Sequence, residues 1–147
     1  KGSMIVIGTL FIQSGQITFE SILAGIIVGS LSSLVLFIAS FPDHDADKSK
    51  GRKTLVIVIG KKNAANAFWI FPIISYVSIL VGVYFELFPI FSLISLFSIP
   101  LMIKSGLGLK RNFDSVDDLV PFMSSTLMFS RITGVLFVAS FLIPLTL

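Results

Sequence analysis

SILAGIIVGSLSSLVLFIASF, residues 21–41, decides the architecture. It holds no charged side chain and none of the apolar–polar alternation that a half-buried strand shows. A helix rising 1.5 Å per residue needs about 20 such residues to cross roughly 30 Å of hydrocarbon. Working outward, the uncharged runs are 2–19, 21–42, 63–85 and 87–103, and residues 119–147 carry a single charge, Arg131. The runs predict an all-α, polytopic transmembrane helix bundle with about five spans, near 2–13, 19–41, 63–86, 89–105 and 119–145.

Composition agrees. Hydrophobic residues make up 54% of the 147 positions and charged ones 13%, against about 25% charged in soluble globular domains. The mean hydropathy is +0.98. There are fifteen Phe and no Cys, which excludes disulfides, thiolate zinc sites and a cysteine nucleophile. The net charge is only +3, so where the charges fall matters more than their sum, and no nucleic-acid partner is expected. The 42–62 loop holds Lys48, Lys50, Arg52, Lys53, Lys61 and Lys62, and the 104–118 loop holds Lys104, Lys110 and Arg111. With Lys1, ten of the eleven basic residues fall on one side of the bundle. That asymmetry is the positive-inside pattern and predicts that the charged loops face the cytoplasm.

Smaller signals concern packing. Gly25 and Gly29, with Ser33 a turn further, form a small-residue stripe that lets another helix approach closely. Pro72, Pro89, Pro100, Pro121 and Pro144 should start or kink helices. Trp69 suits an interfacial anchor. Asp114, Asp117 and Asp118 suit a helix start; a lid over a bound phosphate is the alternative. Arg131 is either a cavity-lining functional residue or a cation that reaches polar surroundings.

The chemistry concentrates in FPDHDADKSKGRKTLVIVIG, residues 41–60. Pro42 favours a first helical turn and Gly51 a stop, predicting a short helix over 43–50. On it Asp43 and Asp47 share a face, while Asp45 points elsewhere. Two carboxylates so spaced can hold Mg²⁺, which takes one or two carboxylates plus substrate phosphates. Lys48, Lys50, Arg52 and Lys53 supply cations for diphosphate oxygens. His44 is expected to be solvated. The same charges also complement a helix dipole or obey the positive-inside rule without any ligand.

The wider string Asp43-x-x-x-Asp47-x-x-x-Gly51-x-Lys53-Thr54, followed by Leu55, Val56 and Gly60, resembles the second aspartate-rich motif of the UbiA-type prenyltransferase superfamily. The likeness is greatest to its menaquinone-pathway, dihydroxynaphthoate branch. GSMIVIGTLFIQSGQIT (2–18) is similar to that branch's preceding helix. Asn112-Phe113-Asp114 with Leu119 and Pro121 is similar to the approach to its last helix. One departure stands out: the branch often carries Asn four residues before the first motif aspartate, where this chain has Ala39.

The resemblance implies a nine-helix bundle around a central cavity, of which this chain supplies the C-terminal half, helices five to nine. Its remaining, N-terminal half would be a partner in the site, and the piece alone is expected to be inactive. It implies Mg²⁺ as cofactor, held by Asp43 and Asp47 as metal-binding, catalytic residues. Arg52 and Lys53 would bind diphosphate, with Lys50 added from its place in the loop, and Arg131 stays a candidate cavity residue on its charge alone. Prenyl diphosphate and an aromatic acceptor would be the substrates, met at the lipid bilayer of the cell membrane. The rival expectation is a non-catalytic membrane subunit or transporter half, whose basic loop binds anionic lipid or a partner protein.

Overall fold

The computed structural model describes residues 2–143. Lys1 and Pro144, which enter the charge and proline patterns above, lie outside them. The described residues form helices α1 (Gly2–Ser14), α2 (Phe19–Ala39), α3 (His44–Ser49), α4 (Leu55–Ile59), α5 (Lys61–Ala67) and α6 (Ile70–Tyr84). A 3-10 helix (Ile90–Ser98), α7 (Ile99–Asn112) and α8 (Val116–Ser140) follow. Among the described residues there is no strand.

Four helical segments are long and apolar enough to cross a membrane: Phe19–Ala39, Lys61–Tyr84, Ile90–Asn112 and Val116–Ser140. α1 has 13 residues, about 20 Å, so within the described residues it falls short of the hydrocarbon thickness. The last helix starts three residues earlier than expected and ends at Ser140. It starts at Val116 because Ser115 caps it, its hydroxyl accepting from the Asp118 N–H at 3.5 Å. Asp117 and Asp118 then occupy the first turn, where negative charge suits the helix dipole.

α2 is the central element. It packs against α1, α6 and α8, and α8 in turn against α7 and the 3-10 helix. Ile27 and Leu34 of α2, Ile79 of α6 and Phe129 of α8 are fully buried in this core. Gly25 and Gly29 do admit α1 closely: a Cβ at either would meet Ser3 or Ile7. The position one turn on is Ser32, which lies against Gly2, whereas Ser33 is exposed.

Lipid gives helices no hydrophobic reason to associate, so close packing and interhelical hydrogen bonds must hold them. Hydroxyl pairs recur at three of the seams. Ser30 meets Ser75 at 2.6 Å between α2 and α6. Ser98 meets Tyr76 at 2.8 Å and Thr133 at 2.6 Å, joining α6, the 3-10 helix and α8. Ser92 meets Ser140 at 2.8 Å. A 3-10 helix repeats every three residues, so Ser92, Ser95 and Ser98 stand in one row, and all three are buried.

At the far end from the charged loop, Leu87 and Phe88 donate their N–H groups back to the Gly82 carbonyl across a turn in which Glu86 takes φ 57°. The Phe88 ring lies where a Gly82 Cβ would be and stacks edge-on with Phe137 and Phe141. Trp69 is a brace as well as an end residue: its indole fills the space beside Gly106 of α7.

Candidate functional site

The loop after α2 folds as the local signals require. Pro42 precedes α3, and the Asp47 N–H reaches the Asp43 carbonyl at 2.8 Å, placing the two aspartates one turn apart. Gly51 ends the turn at φ +71°, a left-handed conformation that glycine adopts without a Cβ penalty. That reversal brings the Arg52 N–H to the Asp47 carbonyl at 3.0 Å. It also carries the Arg52 guanidinium Nη1 to within 3.0 Å of Asp47 Oδ1. Thr54 then caps α4, its hydroxyl accepting from the Ile57 N–H at 3.4 Å. Val56 anchors α4 in the core.

The members of the loop are not equivalent. Asp43 is exposed and makes no capping bond with its side chain, leaving its carboxylate available. The Asp47 side chain is only 13% exposed and is held by Arg52, itself 67% exposed. Lys50 and Lys53 are exposed. Asp45 points outward, 86% exposed, and its Oδ1 lies 2.8 Å from His44 Nδ1. That hydrogen bond, aided by Lys61 and Lys48, holds the Asp45 carboxyl below its ordinary range. His44 corrects the expectation of a solvated residue: its side chain is 14% exposed, because α3 lays it down rather than out.

Could this loop hold a metal? Among the described residues no group of three or more His, Asp or Glu side chains converges on one point, so no protein cage exists. Two carboxylates a turn apart suit a hard cation that draws its other ligands from water and phosphate. The residues present fit a shared Mg²⁺–phosphate site and not a self-contained one.

Arg131 lies apart from the loop, exposed on α8. It borders a groove of ≈ 410 Å³ with Ser32, Val35 and Leu36 of α2 and Leu127 and Ser130 of α8. The same α2 face, through Ser21, Ala24 and Val28, lines a larger apolar hollow of ≈ 840 Å³ near Phe88, Phe137 and Phe141. The two hollows lie along α2, the Arg131 groove nearer the aspartate loop and the larger one, which α1 also lines, at the aromatic end. The spacing of charges in the sequence gives no sign of these hollows; the recurrence of small or apolar residues at 21, 24, 28, 32 and 35 is the signal that could have found them.

Four segments long and apolar enough to cross a membrane, joined through an acidic and basic loop at one end, define a polytopic helical membrane protein. The UbiA prenyltransferase family matches residues 1–130, and the chain belongs to that family. It is 27% identical over 137 residues to the 1,4-dihydroxy-2-naphthoate octaprenyltransferase of Escherichia coli (strain K12), covering 93% of this chain and 44% of that protein. It is 38% identical over 63 residues to the enzyme of the same name from Bacillus subtilis (strain 168), covering 43% of this chain and 20% of that protein. The chain thus spans less than half the length of these curated relatives. No solved structure matches.

Proposed function

We propose that this chain is part of an Mg²⁺-dependent membrane prenyltransferase that moves a polyprenyl group from a prenyl diphosphate to an aromatic acceptor of the dihydroxynaphthoate kind. The observation that carries the reading is the α3 loop. Asp43 and Asp47 stand one turn apart just beyond the end of α2, with Arg52 held to Asp47 and Lys50 and Lys53 exposed in the same loop. Family membership supports the reaction class, and the names of both relatives support the acceptor. The charged loops face the cytoplasm, where both substrates would arrive.

In this reading Asp43 and Asp47 hold Mg²⁺, and Lys50, Arg52 and Lys53 engage diphosphate oxygens, Arg52 with a fork that matches them in pairs. Bound Mg²⁺ neutralises the charge that develops as the diphosphate leaves. The basic side chains add fixed positive charge at the same place, where such preorganised groups act most strongly. The apolar hollow along α2 takes the chain and keeps water from the reacting carbon. The remainder of a full-length protein completes the site.

The test is made in the full-length protein in membranes. Asp43→Ala and Asp47→Ala are each expected to lower Mg²⁺-dependent prenyl transfer by about 10²-fold or more, as loss of preorganised charge stabilisation does. Membrane insertion should be unchanged. Normal rates in both variants would remove the assignment.

A further inference from the structure

Arg131 is the sixteenth residue of the 25-residue α8. It stands about 22 Å along α8 from Val116 and about 13 Å from Ser140, well inside the apolar span. A guanidinium stays charged under all ordinary conditions, and a charge at that depth is tolerated where it faces a wet cavity or a partner. Among the described residues the ion pairs are His44–Asp45 and Asp47–Arg52; no carboxylate answers Arg131. The anion it calls for lies outside the described residues, in a bound substrate or in the rest of the full-length protein.

The groove around it narrows the choice. Val35, Leu36 and Leu127 give aliphatic walls, Ser32 and Ser130 give hydroxyls, and Arg131 is the one cation. Ser130 also ties the groove's two sides together, its hydroxyl donating to the Leu31 carbonyl at 3.5 Å. A single planar fork between aliphatic walls suits a flat ring that bears one carboxylate. A diphosphate is a poorer match, because it carries more charge and has the α3 loop, about 10 Å further along α2 from Ser32. A lipid tail would leave the guanidinium unanswered. The volume of ≈ 410 Å³ falls in the range of small-molecule sites, about 300–1,000 Å³.

We propose that Arg131 receives the carboxylate of the aromatic acceptor, making it the residue that selects carboxylated acceptors. The inference rests on the prenyltransferase reading above and adds to it a residue and a selection rule.

The experiment uses the full-length protein in membranes with two acceptors, 1,4-dihydroxy-2-naphthoate and 1,4-dihydroxynaphthalene, which lacks the carboxylate. Arg131→Gln should raise the KM for the naphthoate about tenfold or more, as loss of a desolvated charge partner does. It should leave the KM for prenyl diphosphate within about twofold, and the preference for the naphthoate should collapse. Arg131→Lys keeps the charge but loses the fork, so an intermediate preference is expected, and this variant answers the question if the glutamine variant does not insert. Equal losses with both acceptors, an unchanged preference, or a rise in the prenyl diphosphate KM would each overturn the proposal. A wild-type protein inactive with both acceptors, or one indifferent to Asp43→Ala and Asp47→Ala, would instead bring down the prenyltransferase reading, and this inference with it.

Discussion

Asp43, Asp45 and Asp47 are three aspartates within five residues, yet each has a different environment. Asp43 is open, Asp45 is tied to His44, and Asp47 is largely covered and tied to Arg52. The Asp45 carboxyl is held below its ordinary value of 3.8 by the His44 hydrogen bond. A depressed carboxylate pKa contributes stability at pH above the unfolded value and loses it as pH falls through the folded one. The His44–Asp45 contact should therefore persist across neutral and mildly acidic pH and open only below about pH 4. Titration of the Asp45 carboxyl by carbon NMR checks this, and His44→Ala should move its midpoint upward. A midpoint at or above 3.8 in the unmodified protein would contradict it. Much of this loop is legible from residue types, because Pro42, the i and i+4 aspartates and Gly51 act over one or two turns. The Asp47–Arg52 pair is not, since it depends on how the left-handed Gly51 turn swings the chain back. Nor is the cover over His44, which depends on how α3 lies.

At the scale of elements, the 3-10 helix is the least expected piece. Its apolar run predicts a helix, and it is one, but the tighter winding shows only in the three-residue spacing of Ser92, Ser95 and Ser98. The row also sorts its members. Ser98 bonds Tyr76 and Thr133, whereas the fully buried Ser95 hydroxyl has no partner. Ser98→Ala strands the Tyr76 hydroxyl, while Thr133 keeps its bond to the Phe129 carbonyl, and should cost about 0.5–2 kcal/mol, the range of interhelical hydrogen bonds in membranes. Ser95→Ala removes an unanswered polar group and should be neutral or stabilising. Unfolding midpoints of the two variants in detergent check the contrast; equal losses would deny it. The long helices were readable from uncharged length alone, α3 only from Pro42 and Gly51, and α4, inside the stretch that reads as a loop, not at all. Helix ends were less legible: α8 begins at Val116 because of a serine cap among acids, where a search for apolar runs starts at Leu119.

For the whole molecule, the charge pattern and the alternation of helices agree on one charged end. α3, α4 and the start of α5 lie there, with the basic end of α7 and the acidic start of α8. These 147 residues hold no cysteine, so once any cysteine elsewhere in the full-length protein is replaced by serine, single cysteines report sidedness cleanly. In the full-length protein, Lys50→Cys and Lys110→Cys should react with an impermeant thiol reagent from the cytoplasmic face only. Gln16→Cys and Tyr84→Cys should react from the opposite face only. Labelling of both sets from one face would refute the orientation. The mid-span seam, with Arg131 in it, is a property of this scale as well, since it exists only once α2 and α8 lie side by side.

The Asp47–Arg52 contact has a last consequence. Asp47 and Arg52 satisfy each other, while Asp43, Lys50 and Lys53 stay open beside them. A cation that takes over the Asp47 carboxylate frees the guanidinium for an anion, and an anion that draws the guanidinium away frees the carboxylate for a cation. Each guest lowers the barrier to seating the other, and linkage makes that help mutual. A self-neutralised hinge of this kind would admit the two as a couple and hold either one poorly alone.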